Sequence, residues 1–375
     1  MPRVNPTAFR SSLVIASTML GFAAPARAQD QPPKPGDSQS QAAAAPAEQG
    51  ADAKWSAPAK EAMAAFKSGD SAKAFTLATK AAAGGDADSL MFLGRMYEQG
   101  IGTKADPAKA AQNYQAAADK GQLEAKAHLA RCLEEGLGLK ANPEKADFLW
   151  QQAAEQGFPT AQSRMGVMEI DGIRRPRNEA AGKEWLEKAA AQNDGIALYR
   201  MARLYQSGTG GVQKDPAKAL ENLLKAANTG NLDAINQVGM CYQAGYGLRQ
   251  DKIAAAGWFN FAAEYRHPAA MSNLGQCYET GQGVKPNLQI ATRLYTDAAA
   301  LNDPVAHVCL GNLNRDGRGM AKDPVKAYFH YEQALRLGLS GAEKLRNDAK
   351  SALSPQQLTA AERLLQSEKA VPSPK

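Results

Sequence analysis

Apolar residues along most of this chain fall three or four positions apart, in blocks of about a dozen residues separated by short glycine-containing breaks. That spacing places each apolar set on one face of a helix and predicts an all-α chain. The blocks recur. Gly94, Ala130, Gly166, Ala202, Gly239, Gly275 and Gly311 stand 36 residues apart, with one interval of 37, and a second glycine follows each of them by six residues. Self-similarity at such a period marks a solenoid, in which no unit buries its apolar face alone.

Each period reads as two helices. Asp88 to Gln99 carries Leu90, Leu93, Met96 and Tyr97 at helical spacing, and Gly100 ends it. Asp106-Pro107 starts the second helix, with aspartate as N-cap and proline at the first helical position; Asn142-Pro143, Asp215-Pro216 and Asp323-Pro324 repeat the signal. Second helices share a small–large–small pattern, as in Ala110, Tyr114 and Ala117 or Ala291, Tyr295 and Ala298, which puts a knob between two small residues on one face. The odd interval of 37 falls in Gly208-Thr209-Gly210-Gly211, a loop that tolerates an extra residue.

These columns resemble the Sel-one-like repeat, a relative of the tetratricopeptide repeat. The stretch Leu93-Gly94-Arg95-Met96-Tyr97-Glu98-Gln99-Gly100-Ile101-Gly102 carries the resemblance, which returns at Leu274 to Val284 and covers residues 56–338. It implies a right-handed superhelical α/α solenoid. Seven repeats are expected over 86–338, a partial helix pair over 56–85, and capping helices with a tail over 339–375, starting at Ala342–Leu353 and Pro355–Gln366.

The ends read differently. Arg3 and Arg10, the apolar run Leu13 to Ala24 and the Ala26-Arg27-Ala28 pattern have the layout of a signal peptide, with cleavage expected after Ala28 and a periplasmic or secreted product. The run is too short to span a bilayer, so no integral membrane segment is expected after cleavage. Residues 29–55, rich in Pro, Ala and Gln, read as a disordered linker. Removing residues 1–28 deletes three arginines and no acid, leaving 41 basic residues against 38 acidic ones. So even a balance, without a basic stripe, argues against nucleic acid as a partner.

Enzymatic signatures are missing. No Ser-x-x-Lys, Gly-x-Ser-x-Gly or His-Glu-x-x-His occurs, and Gly100 to Lys104 lacks the Gly-Lys-Ser/Thr core of a phosphate loop. The four histidines, His128, His267, His307 and His330, share no column, and neither a metal nor a cofactor is expected. Cys132, Cys241 and Cys277 lie two residues after an anchor, where buried thiols would act as small hydrophobes; Cys277 with Cys309 is the one candidate bridge. The third repeat departs from the pattern with Glu169 and the loop Arg174-Arg175-Pro176-Arg177, read either as a grip for an acidic partner or as a drifted, solvated loop.

The resemblance further implies that first helices line a concave groove, with offsets −3, +1, +4 and +5 from each anchor facing inward. A protein or peptide partner in the cell envelope would then meet Arg95, Arg131, Tyr199 and Arg203. Gln206, Asn236, Met240, Gln243 and Gln276 continue the surface. Arg95 with Glu98, and Arg131 with Glu134 or Glu135, are also spaced to neutralise each other along one helix. The sequence therefore points to a monomeric, non-enzymatic adaptor. Its alternatives are a cell-wall or polysaccharide accessory protein, which would show exposed tryptophans, and a β-lactam-interacting enzyme.

Overall fold

The structure is a computed structural model that describes residues 55–369, so the signal-peptide and linker expectations lie almost wholly outside the described residues. The chain divides into two compact units at Met201/Ala202. The first holds α1 (Ala57–Lys67), α2 (Ser71–Ala83), α3 (Ala87–Gln99), α4 (Pro107–Asp119), α5 (Leu123–Glu135), α6 (Pro143–Glu155), α7 (Pro159–Asp171) and α8 (Glu179–Ala190). The division falls within α9 (Gly195–Ser207). The second unit continues with α10 (Pro216–Asn228), α11 (Leu232–Ala244), α12 (Lys252–Glu264), α13 (Pro268–Thr280), α14 (Leu288–Ala299), α15 (Pro304–Asp316) and α16 (Pro324–Arg336). A 3-10 turn, Ser340–Ala342, leads to α17 (Glu343–Ser351) and α18 (Pro355–Lys369). No strand occurs among the described residues. Each unit is an α/α solenoid in which a helix packs on the one before and the one after it.

Local chemistry sets the hairpins. First helices end on glycine in the left-handed region, as at Gly100 (φ 71°) and Gly281 (φ 74°). Second helices begin on a capping side chain; Asp106 accepts from the Lys109 amide at 3.0 Å and Asn287 from Ile290 at 3.0 Å. The cap residue's own amide then bonds back to the first helix, Asp106 to the Tyr97 carbonyl and Asn287 to that of Tyr278, at 2.8 Å in both cases. One residue thus fixes both the start of a helix and the closure of its loop. Each such cap contributes about 1 kcal/mol.

The anchor column explains the large residue twenty positions later. A β-carbon added at Gly275 would lie 2.6 Å from Tyr295 Cε1, and one at Gly239 would lie 2.6 Å from Phe259 Cε1. The knob therefore sits against the backbone of its own hairpin's first helix, not only between the alanines of its own helix. Tyr295 and Phe259 are fully buried as a result.

The loops after α3, α5, α11, α13 and α15 press on the preceding hairpin. A β-carbon at Gly283 would fall 1.9 Å from the Lys252 carbonyl oxygen. In the third repeat Arg174 occupies that loop position, holding φ at 58°, and its guanidinium forms an ion pair with Asp147 on α6. A polar tie there takes the place of close backbone contact.

Two expected boundaries shift. Trp55, assigned to the linker, is buried at 5% exposure with its ring 5.8 Å from Phe92, so it packs with the folded array. The first cap helix starts as a 3-10 turn and is regular only from Glu343, while α18 runs three residues beyond Gln366 and packs Ala361 and Leu365 against Tyr328 and Phe329. All four cysteines are free, so the Cys277–Cys309 bridge is not formed. Cys132, Cys241 and Cys277 are buried and Cys309 half-buried, and burial pushes each thiol up to about 11.

Two outcomes follow from this packing. Gly275→Val should destabilise the protein by about 2 kcal/mol, since overfilling a packed core costs roughly 1–3 kcal/mol, whereas Gly341→Ala, with nothing within 4 Å, should leave urea unfolding unchanged. An Ellman titration should find the thiols of Cys132, Cys241 and Cys277 unreactive in the native protein and all four available in guanidinium; fast native reaction would contradict their burial.

Candidate partner-binding surface

In the first unit the expected arginines are held by carboxylates of the neighbouring repeat. Arg131 on α5 pairs with Glu98 on α3, and Arg95 on α3 lies 3.6 Å from Glu124 on α5. Pairing therefore runs across repeats, and the same-helix pairs suggested by the sequence, Arg95 with Glu98 and Arg131 with Glu134 or Glu135, are not the ones formed. Glu98 also accepts from the Tyr114 hydroxyl at 2.6 Å. Burial pushes the Glu98 carboxyl up, but the bonds from Tyr114 and Arg131 outweigh it and hold the group below the usual range. Burial and Glu98 push the Tyr114 phenol well above its ordinary value. His128 stacks on Tyr114 at 4.7 Å, with Glu98 and Glu124 each 3.8 Å from its ring nitrogens. This network ties α3, α4 and α5 together.

The pattern continues through the third repeat. Glu134 takes Arg164 and Arg174, and Asp171 takes Arg200 at 3.3 Å. Arg175 pairs with Glu169 at 2.8 Å and Arg177 with Glu179. All three loop arginines are thus engaged within the chain, which favours the structural reading of that loop. Glu169, where a tyrosine was expected, is the partner of Arg175. Tyr199 is half-buried on α9.

The second unit differs. Arg203 is exposed and Met240 is 42% exposed, Gln276 is exposed, and Gln206 and Gln243 are half-buried. Among the described residues, the side chains of Arg203, Gln206, Gln243 and Gln276 make no hydrogen bond or close ion pair; only their carbonyls are used, by Ser207, Gln250 and Thr280 in three of the four. Arg203 acts on Asp233 only at longer range, and Asp233 is held by His267 at 3.1 Å. Asn236 does not belong with this set. It is buried at 6% exposure and accepts from Asn273 Nδ2 at 2.8 Å. Its −3 column is structural elsewhere too: Ser163 and Ser272 donate to the capping carboxylates of Asp194 and Asp303 at 2.5 Å.

Other candidate chemistry resolves into packing. His267 caps α13 by accepting from the Ala270 amide at 3.2 Å. His307 and His330 bring their Nδ1 atoms to 3.1 Å, a pairing across one hairpin that column analysis missed because the two rings lie on different helices. Burial lowers both, His330 to about 3. No three His, Cys, Asp or Glu come together as a metal site among the described residues. Trp55, Trp150 and Trp258 are buried, and Trp185 is half-buried with Lys188 Nζ 4.5 Å from its ring centroid, so none presents the open face that a sugar would stack on. No described helix is long and apolar enough to cross a membrane.

Known proteins share this architecture. The chain is similar to the protective antigen of uropathogenic Escherichia coli with an SLR fold, at 30% identity over 82% of this chain and 67% of that one, with a TM-score of 0.65. A Sel1 repeat protein from Oxalobacter formigenes is 26% identical over 65% of this chain and 97% of its own, with a TM-score of 0.55. An F-box protein of Arabidopsis thaliana is 34% identical over 77 residues, and the chain spans only 20% of that relative's length. The Sel1 repeat model matches residues 66–86, 87–122, 123–158, 159–194, 195–231, 232–264, 268–303 and 305–339. With eight successive repeats over most of its length, the chain belongs to the Sel1-repeat family.

Proposed function

We propose that this protein is a non-enzymatic scaffold of the bacterial envelope, holding a protein or peptide partner on its first helices for assembly or regulation. A Sel1-repeat solenoid supplies a preformed surface, so association needs little rearrangement. The carrying observation is the contrast between the two units. One and four residues after the anchors, the charged groups of residues 55–201 are self-neutralised, Arg95 by Glu124, Arg131 by Glu98 and Glu134 by Arg164, whereas the side chains of Arg203, Gln206, Gln243 and Gln276 in the second unit lack internal partners. Polar groups left unspent on an ordered face gain most from a complementary partner. The signal-like start, Arg3 to Ala28, supports export.

The immobilised protein should enrich one envelope protein, identified by mass spectrometry. Arg203→Glu should weaken that capture by about tenfold, and Arg131→Glu should have a smaller effect because Glu98 already holds Arg131. Capture of nothing beyond a blank resin, or rapid hydrolysis of a chromogenic β-lactam, would reject the scaffold reading. N-terminal sequencing of the exported product should begin at Gln29; retention of residues 1–28 would reject the envelope assignment.

A further inference from the structure

We infer that one edge of the second unit, built from residues 245–254, 281–293 and 317–326, docks on an anionic phospholipid surface. The edge consists of hairpin loops and second-helix starts, so it is separate from the first-helix columns and does not depend on the scaffold reading. Backbone contacts join its segments into one strip. A β-carbon added at Gly247 would lie 2.4 Å from the Pro216 carbonyl oxygen at the start of α10. At Gly283 it would lie 2.9 Å from the Ile253 amide nitrogen at the start of α12, and at Gly319 3.1 Å from Leu288 Cβ at the start of α14. Each of these loops therefore rests on the second-helix start of the hairpin before it.

The strip is basic. Its three segments hold seven Lys or Arg residues against two carboxylates, Asp251 and Asp323. Both carboxylates are spent on caps: Asp251 accepts from the Ile253 and Ala254 amides and Asp323 from the Lys326 amide, each at 3.0 Å. Arg318 is held by Glu279 at 2.8 Å, while Arg293 with Asp297 and Lys326 with Asp323 are looser pairs at 3.9 and 3.7 Å. Arg249, Lys252, Lys285 and Lys322 are exposed and make no close ion pair among the described residues. Arg249 and Lys285 stand four residues after Gly245 and Gly281, and Lys322 five after Gly317. Stacking thus gathers charges that form no run along the chain.

Apolar side chains stand among these cations. Ile253, in the first turn of α12, is 75% exposed, and Ile290, in the first turn of α14, is 38% exposed. Each gains by leaving water. They occupy different positions of their helices, the second residue and the third, so they form no regular ridge for a shaped pocket. An anionic bilayer needs no such match. Its headgroups offer negative charge across a plane, and its acyl boundary accepts an apolar side chain wherever one falls. Cations flanking protruding isoleucines suit that surface, since charge draws the edge down and the isoleucines enter.

The test is co-sedimentation of the full chain with vesicles of phosphatidylglycerol and phosphatidylethanolamine in equal parts, against vesicles of phosphatidylcholine alone. Affinity for the anionic vesicles should be at least about tenfold higher and should fall as salt rises. Lys252→Glu with Lys285→Glu should weaken it by at least about 25-fold, about fivefold for each cation lost, and Ile253→Ser by about tenfold. Lys80→Glu with Lys120→Glu, at the opposite ends of second helices, should leave it within about twofold. A polarity-sensitive dye on Ile253→Cys should shift to the blue on these vesicles and one on Asn260→Cys should not, which separates docking of this edge from adsorption through the apolar run Leu13 to Ala24. Circular dichroism of each variant should match the parent. Equal affinity for the two vesicle types, an equal loss in the two lysine pairs, or no shift of the dye at position 253 would overturn the inference. So would binding of polyglutamate or duplex DNA as tight as that of the anionic vesicles.

Discussion

The contact between a side-chainless backbone position and a large ring twenty residues later holds four hairpins of this protein together. Gly94 against Tyr114, Gly239 against Phe259, Gly275 against Tyr295 and Gly311 against Tyr331 repeat one geometry, with an added β-carbon 2.5–2.6 Å from the nearest ring carbon. A dense interior leaves no slack for such an atom. The ring fixes how closely two helices approach, and that distance sets where the next hairpin stacks. Where the knob is Leu186, Gly182 on the second helix is also a glycine, and the backbones of α7 and α8 meet more closely still.

Most of this was legible in the chain. Column spacing located the hairpins because glycine, aspartate–proline and the small–large–small pattern each have a local mechanical cause. What escaped was the pairing of charges. Sequence spacing favours partners three or four residues apart on one helix, yet the stacked repeats bring Glu98 to Arg131 and Glu134 to Arg164 across 33 and 30 residues. One sign was available: Tyr114 follows Glu98 by sixteen residues, as Tyr295 follows Glu279, and both pairs are hydrogen-bonded.

The candidate surface was legible only in part. Arg203, Met240 and Gln276 are exposed as the resemblance implied, but Asn236 is buried, since its column faces the neighbouring first helix through Asn273. A family-level statement of which offsets face a groove does not distinguish an amide spent on a neighbouring helix from one left open. That distinction decides where binding energy is available, because a half-buried pair such as Arg131 with Glu98 already occupies its groups.

The closure of each loop by the capping residue has a kinetic side. Asp106 returns to Tyr97, and Asn287 to Tyr278, over nine residues, while the ring reaches its glycine over twenty and Arg174 reaches Glu134 over 40. All of these separations are short for a chain of this length. Such a topology lets a hairpin assemble soon after its own residues are free to move, with each finished hairpin templating the next. Nucleation can then begin at several points along the array, and the slow search for remote partners that delays sheet proteins is avoided.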